Sequence, residues 1–266
     1  MMPERHTGVQ SVERALEVLE VLAEAGREMG VSELGQATGL PYATIHRLAA
    51  TLRQRGYLHQ DGRSRKYGLG SRLIHLGSIA GHMLGAGARP YLERLVELTG
   101  ETANLALLEE GYVVYVAQAP SRRMVRTFTE VGNRVPPHST AVGKVLLSYQ
   151  PASAVSRIVS RHGLVAATPE TITDPSELLA QVELVRTRGY ALDLEEQEEG
   201  VTCVAVPLVP STGPVAAISV SGPTARMGED RRNAIVGHLQ AVAAEFANGL
   251  DAASATDAPG NAPDRA

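Results

Sequence analysis

Between Ser11 and Leu69 the chain carries three helix signals and one hairpin signal, in an order that few folds accommodate. Ser11 can cap a first helix in which Val12, Ala15, Leu16, Leu19 and Leu22 recur at helical spacing up to Gly26. Ser32 can cap a short second helix carrying Leu34 and Ala37, closed by Thr38 and Gly39. A third opens at Pro41, a residue suited to a first turn, and stops at Gly56. The tight glycine-containing turn between the second and third makes a helix-turn-helix. Asp61-Gly62 then signals a hairpin whose strands can pack Leu58, Tyr67 and Leu69 on the helices, with Arg63, Arg65 and Lys66 at its tip and far side. The order predicts a winged helix-turn-helix over residues 1–70.

The third helix has two distinct faces. At about 100° per residue, Ile45, Leu48, Ala49 and Leu52 share one side, and Ala43, Arg47, Ala50 and Gln54 lie opposite, flanked by His46 and Thr51. Small residues permit close approach, while Arg47 and His46 supply donors for base edges or phosphates in a major groove. The expected DNA-contacting set is Tyr42, Ala43, Thr44, His46, Arg47 and Thr51 on the helix, with Arg63, Arg65 and Lys66 on the wing. Charge segregates accordingly. Residues 41–72 hold seven cationic side chains against Asp61 alone, a balance of +6, whereas residues 1–40 balance at −4 and the whole chain at −4. Such a block fits a polyanion-binding surface, and equally a solvated basic face.

Beyond it, Leu73, Leu76, Ala80 and Met83 form a short seam within residues 71–87, readable as a linker and dimerisation helix or as simple packing. A second domain over 88–250 opens with a helix bearing Leu92, Leu95 and Val96. Strands are expected at 104–108, 112–117, 124–128, 191–194, 201–209 and 214–221, and helices from His138-Ser139-Thr140, at 152–161, at 175–188 and at about 229–250. Helices flanking a mainly antiparallel sheet make an α+β domain. Residues 251–266 are Ala/Asp/Pro-rich and read as a disordered tail. A single cysteine, Cys203, excludes an intrachain disulfide and a multi-cysteine metal site, and neither metal nor cofactor is expected. No apolar run approaches the ~20 residues of a membrane span, and MMPERHTGVQ lacks a signal peptide's apolar core, so a cytoplasmic location and no membrane partner are expected.

The stretches QSVERALEVLEVL, VSELGQATGLPYATIHRLAATLRQRGYL, a wing ending YGLG, HSTAVGK, RGYALDLEEQEEGVTCVA and AAISVSGP follow one another from about Gln10 to Leu250. Together they resemble the IclR family of bacterial transcription regulators. Within it, TGETANLAL, MVRTFTEVGNRVPPHSTAVGK and GVTCVAV look most like the glyoxylate-responsive repressors of allantoin-utilisation genes. The resemblance implies a GAF-like effector-binding domain, a double-stranded and palindromic DNA operator, a homodimer or tetramer, and a small carboxylate effector. It places that carboxylate on the main-chain NH groups of Ala141 and Val142, with Asp193, Cys203, Ser219 and Ser221 around it. A helix start suits an anion because its first NH groups are unpaired and carry partial positive charge.

Two departures stand out: Ala141-Val142 replaces a common Gly-Ala, and the loop between Cys203 and Ser219 is one residue shorter. Asp193 beside an anion requires a proton or a donor, such as the hydroxyls of a hydrated aldehyde. The plain alternatives are a packing role for Cys203, a solvated acidic loop at Asp193, and ordinary sheet burial for Ser219 and Ser221. An enzyme is the competing class, but no nucleophile elbow, P-loop or cysteine-rich metal motif supports it.

Overall fold

The computed structural model describes residues 8–85, 87–123, 131–211 and 215–256, apart from the side chains of residues 78, 80–86 and 253–256. Two compact units meet between Met83 and Leu84. The N-terminal unit contains α1 (Gln10–Ala25), α2 (Val31–Thr38), α3 (Tyr42–Gln54), and the hairpin strands β1 (Leu58–Gln60) and β2 (Tyr67–Leu69); α4 (Arg72–Gly85) follows. Val18, Leu22, Leu34, Ile45, Ala49, Leu58 and Tyr67 form its core. The predicted helical stripe of α3 therefore supplies the inward contacts, as the period-3.6 pattern requires.

Local details differ from expectation. Neither Ser11 nor Ser32 caps a helix: α1 starts two residues earlier, after Val9, and α2 follows Gly30, whose NH is taken by the Glu33 carboxylate at 2.8 Å. The hairpin turn runs over six residues rather than closing tightly on Asp61-Gly62. Asp61 Oδ1 accepts the amides of Arg63 and Ser64 at 3.2 and 2.6 Å, and Arg65 takes φ 59°. Leu69 is 40% exposed, because the three-residue ladder ends there, and Leu58 and Tyr67 are the hairpin residues that reach the helical core. On α4, Leu73 is half-buried and Leu76 exposed; the seam side chains of Ala80 and Met83 lie outside the described residues.

The C-terminal unit contains α5 (Ala88–Thr99), β3 (Thr102–Glu109), β4 (Tyr112–Ala119), β5 (Arg134–Val135), α6 (Ala141–Ser148), α7 (Ala152–His162), α8 (Pro175–Arg188), β6 (Ala191–Leu194), β7 (Val201–Leu208), β8 (Ala216–Pro223) and α9 (Glu229–Thr256). Its described strands form one antiparallel sheet ordered β5-β4-β3-β8-β7-β6. Leu105, Val204, Val206, Ile218 and Val220 point to one face, covered by Leu92 and Leu95 of α5 and Ile235, Leu239, Val242 and Phe246 of α9. Ala106, Tyr115, Cys203, Ala205 and Ala217 point to the other, against α6 and α8. The strand expected at 124–128 lies outside the described residues. The tail expected to be disordered from residue 251 is helical through Thr256: Asp251-Ala-Ala-Ser-Ala-Thr256 contains no Pro or Gly, and Asp251 accepts the Ser211 NH at 2.8 Å. Among the described residues no helix is long and apolar enough to cross a membrane.

Candidate functional site

In the N-terminal unit, Tyr42, Ala43, His46, Arg47 and Thr51 are all exposed on α3, and Thr44 is half-buried. Tyr42 stacks on His46 one turn later, with ring centroids 6.4 Å apart. Thr51 spends its hydroxyl proton on the Arg47 carbonyl at 3.0 Å, so its oxygen faces outward as an acceptor rather than a free donor. The far end of α3 is tied to the wing: Arg53 donates to the Gln60 side chain at 3.2 Å, and Gln60 donates to the Arg65 carbonyl at 2.9 Å. Arg63 and Arg65 project freely from the turn, whereas Lys66 is half-buried and lies 3.5 Å from the Glu33 carboxylate. That carboxylate also takes Arg27 at 2.8 Å, and the Gly30 NH and Arg27 hold its pKa down at about 2. The wing thus offers two unengaged cations and one already paired, a distinction invisible in the RSRK run.

In the C-terminal unit a cavity of about 160 Å³ opens on the α6/α8 face of the sheet. Asp193 on β6, Cys203 on β7 and Ser221 on β8 line it side by side, because Asp193 pairs across from Cys203 and Cys203 from Ser221. Ser221 donates to the Cys203 thiol at 3.2 Å. Ser219, two residues back on the same face, is fully buried, and its Oγ has no hydrogen-bond partner among the described residues. Ala141 and Val142 are also fully buried, packed with Cys203 and Ala205 in one cluster. The helix-start residue in the cavity wall is their cap, Thr140, whose Oγ1 accepts the Gly143 NH at 3.0 Å. Gly143 is needed there, since a Cβ would stand 2.1 Å from the Pro137 carbonyl oxygen.

Sequence reasoning missed Tyr115, Asn133, Val135, Thr140, Gln197, Glu198 and Val201 in the wall. Thr140 could have been found as the cap of HSTAVGK, and Tyr115 from its two-residue offset from buried Val113 on β4. The 195–200 loop gave no periodic signal, yet it is firmly held. Lys144 on α6 donates to Glu196 Oε1 at 2.6 Å, with the two side chains only 2% and 10% exposed. Thr171 donates to the Glu196 carbonyl at 2.6 Å, Ser139 to the Gln197 side chain at 2.5 Å, and Asp193 Oδ1 accepts the amides of Glu196 and Gln197 at 2.8 and 3.4 Å. The LEEQEE run is therefore not a solvated acidic loop throughout.

Burial pushes the Asp193 carboxyl up to about 7, with neighbouring Glu196 adding to the shift. Burial likewise raises the Cys203 thiol to about 12, with Asp193 contributing, so the thiol stays protonated and unreactive. The Tyr115 hydroxyl is raised chiefly by burial, then by Cys203 and Asp193, and remains a phenol donor. Among the described residues no cluster of His, Cys, Asp and Glu is placed to hold a metal.

Two family models match: the IclR helix-turn-helix domain over residues 11–62 and the bacterial transcriptional regulator IclR C-terminal domain over residues 77–248. The HTH-type transcriptional regulator KdgR of Dickeya chrysanthemi is 38% identical over 88% of this chain and 78% of its own length. The HTH-type transcriptional repressor AllR of Salmonella paratyphi A is 34% identical over 86% and 85%. A pattern matched so evenly does not single out AllR. An IclR transcriptional regulator from Alicyclobacillus acidocaldarius superposes with a TM-score of 0.79 at 31% identity, covering 91% of this chain and 98% of that one. An IclR homologue from Microbacterium hydrocarbonoxydans, complexed with 4-hydroxybenzoate, superposes at 0.78 with 26% identity over 91% and 99%.

Proposed function

The chain belongs to the IclR family of DNA-binding transcriptional regulators, and from that premise we propose a repressor released from its operator by a small carboxylate, with glyoxylate the reference ligand. It regulates transcription and is not an enzyme. Ala43, Thr44, His46 and Arg47 would read base edges, while Tyr42, Arg63, Arg65 and Lys66 would hold phosphates and Thr51 would present its oxygen as an acceptor. A homodimer or tetramer would present paired α3 helices to a palindromic operator. Control of allantoin or purine-degradation genes is the corresponding pathway assignment.

The observation that carries the ligand reading is the cavity itself: about 160 Å³, walled by hydroxyl, thiol, amide and carboxyl groups beside a capped helix start. A dry cavity of about 150 Å³ holds one benzene, so this one has room for an acid as small as glyoxylate or pyruvate. The amides of Ala141 and Val142 would receive the ligand carboxylate, and Asp193, Cys203, Ser219 and Ser221 its other end. Similarity to KdgR at 38%, no lower than that to AllR, supports as a second reading a regulator of another catabolic or metabolic pathway sensing a different organic or aromatic acid. Coupling between cavity and DNA of about 1–3 kcal/mol would suffice for control.

The test is a gel-shift titration on DNA from upstream of the gene and adjacent operons, with glyoxylate, pyruvate, allantoin or 4-hydroxybenzoate added. Release by glyoxylate alone supports the first reading, and release by another acid the second. Failure to bind any fragment at low salt would sink the DNA-binding assignment for this surface.

A further inference from the structure

The cavity has a charge problem that its polar lining does not solve. Among the described residues the only charged side chains in its wall are Asp193 and Glu198, both acidic. The nearby cation, Lys144 of α6, is already neutralised by Glu196 at 2.6 Å. An anion held about 4 Å from an ionised carboxylate is repelled by about 4 kcal/mol at an effective dielectric of about 20. We propose that a carboxylate entering this cavity brings a proton with it, lodged on Asp193, so that effector occupancy is coupled to pH. The inference rests on the carboxylate-sensing reading above.

The geometry around Asp193 favours it as the proton's seat. Its side chain is held by the Glu196 and Gln197 amides on Oδ1, leaving Oδ2 without a hydrogen bond among the described residues. A proton on Oδ2 turns that oxygen into a donor toward the ligand. The other titratable groups facing it are less suitable. Cys203 and Tyr115 already carry their protons, and Glu196 is committed to Lys144. His138, before α6, contacts the Val165 carbonyl at 3.1 Å, and burial holds its pKa down. Glu198 sits on the exposed part of the loop, where water solvates its charge. Burial has already raised Asp193 to about 7, so the proton is acquired at little cost near neutrality. The competing arrangement keeps Asp193 ionised and has it accept from a ligand hydroxyl, which takes up no proton.

Isothermal titration of the full chain with glyoxylate and with pyruvate separates the two, run from about pH 6 to about pH 9 in buffers of low and high ionisation enthalpy. The expected result above neutrality is uptake of close to one proton per ligand and about a tenfold loss of affinity per pH unit, both fading below pH 7. Asp193→Asn should abolish the buffer-dependent heat and flatten the pH profile, whatever its absolute affinity; the wild-type buffer series stands alone if that variant does not fold. Affinity constant from neutrality to about pH 9 with no proton uptake would overturn the proposal, as would proton uptake retained by Asp193→Asn. Absence of binding by both acids at every pH would remove the sensing reading and the inference with it, a result distinct from binding without protons.

Discussion

Lys144→Met tests whether the buried ion pair holds the cavity together. The pair is made by an ammonium 2% exposed and a carboxylate 10% exposed, 2.6 Å apart. Glu196 Oε2 is buried without a partner among the described residues, so the bond from Lys144 to Oε1 is the one they give this carboxylate. Replacing the ammonium with a thioether of similar length keeps the volume and strands a buried charge, which costs about 3–5 kcal/mol. For a unit of this size each kcal/mol moves the midpoint by about 2–4 °C, giving a fall of roughly 6–20 °C in thermal unfolding followed by circular dichroism. The double variant Lys144→Met, Glu196→Gln removes the stranded charge and should recover most of the loss. Ligand affinity should fall in the single variant as well, because the same loop supplies the two amides that hold Asp193. A single-variant loss below about 1 kcal/mol, or a double variant no more stable than the single, would refute the pairing argument.

Gly143→Ala should destabilise the unit strongly and abolish ligand binding, since the added methyl meets the Pro137 backbone at 2.1–2.6 Å and must displace the start of α6; calorimetry and titration read both effects. Arg47→Ala should weaken operator binding by about 1–3 kcal/mol in gel shifts while leaving effector affinity unchanged, and unaltered DNA binding would remove Arg47 from the surface. Glu101→Gln weakens charge-assisted bonds to Arg226, at 2.7 Å through both oxygens, and to Arg123 at 2.6 Å; the expected cost is about 2 kcal/mol because Arg123 is 46% exposed, read as a lower unfolding midpoint. Without ligand, Asp193 binds its proton more tightly folded than unfolded. Its contribution to stability therefore declines as pH rises from about 4 to about 7 and is flat above, and Asp193→Asn should erase that part of the pH slope in thermal melts.

Most of the architecture was legible because its elements are long and strongly periodic. The helix at 175–188 and the strand at 191–194 coincide with α8 and β6, and the aliphatic stripe of α9 is buried as its spacing demands. Capping was misread at Ser32 because a backbone glycine and a glutamate three residues on can do the same work, a choice local sequence leaves open, and at Ser11 because α1 begins after Val9 with no side-chain cap. Leu69 looked like core because strand alternation carries no information about where the covering helices stop. At the cavity, parity placed Ser219 and Ser221 together, but no period links them to Asp193 or Thr140. Those are joined only through the cross-strand register and the helix packed on that face.

The alternation along β8 bears on why the cavity exists. Ile218 and Val220 face α9 and are fully buried in an aliphatic cluster, while Ser219 and Ser221 face the other way and are buried too. Their cross-strand neighbours include polar Asn104 and Thr102 and the thiol of Cys203, with Asp193 one strand further on, while the β7 partner of Ser219 is apolar Ala205. Every one of these polar positions sits in the interior, where an aliphatic residue would stabilise the unit by about 1.5–3 kcal/mol if it filled the space. Satisfaction of these polar groups by one another is incomplete: among the described residues Ser219 Oγ meets nothing better than the Cys203 thiol, and Asp193 is desolvated enough to climb to about 7. A sheet built for stability alone would repeat on this face what β8 does on the other. The gathering of costly polar side chains around one cavity is what a ligand site predicts, since a bound acid offers them hydrogen bonds.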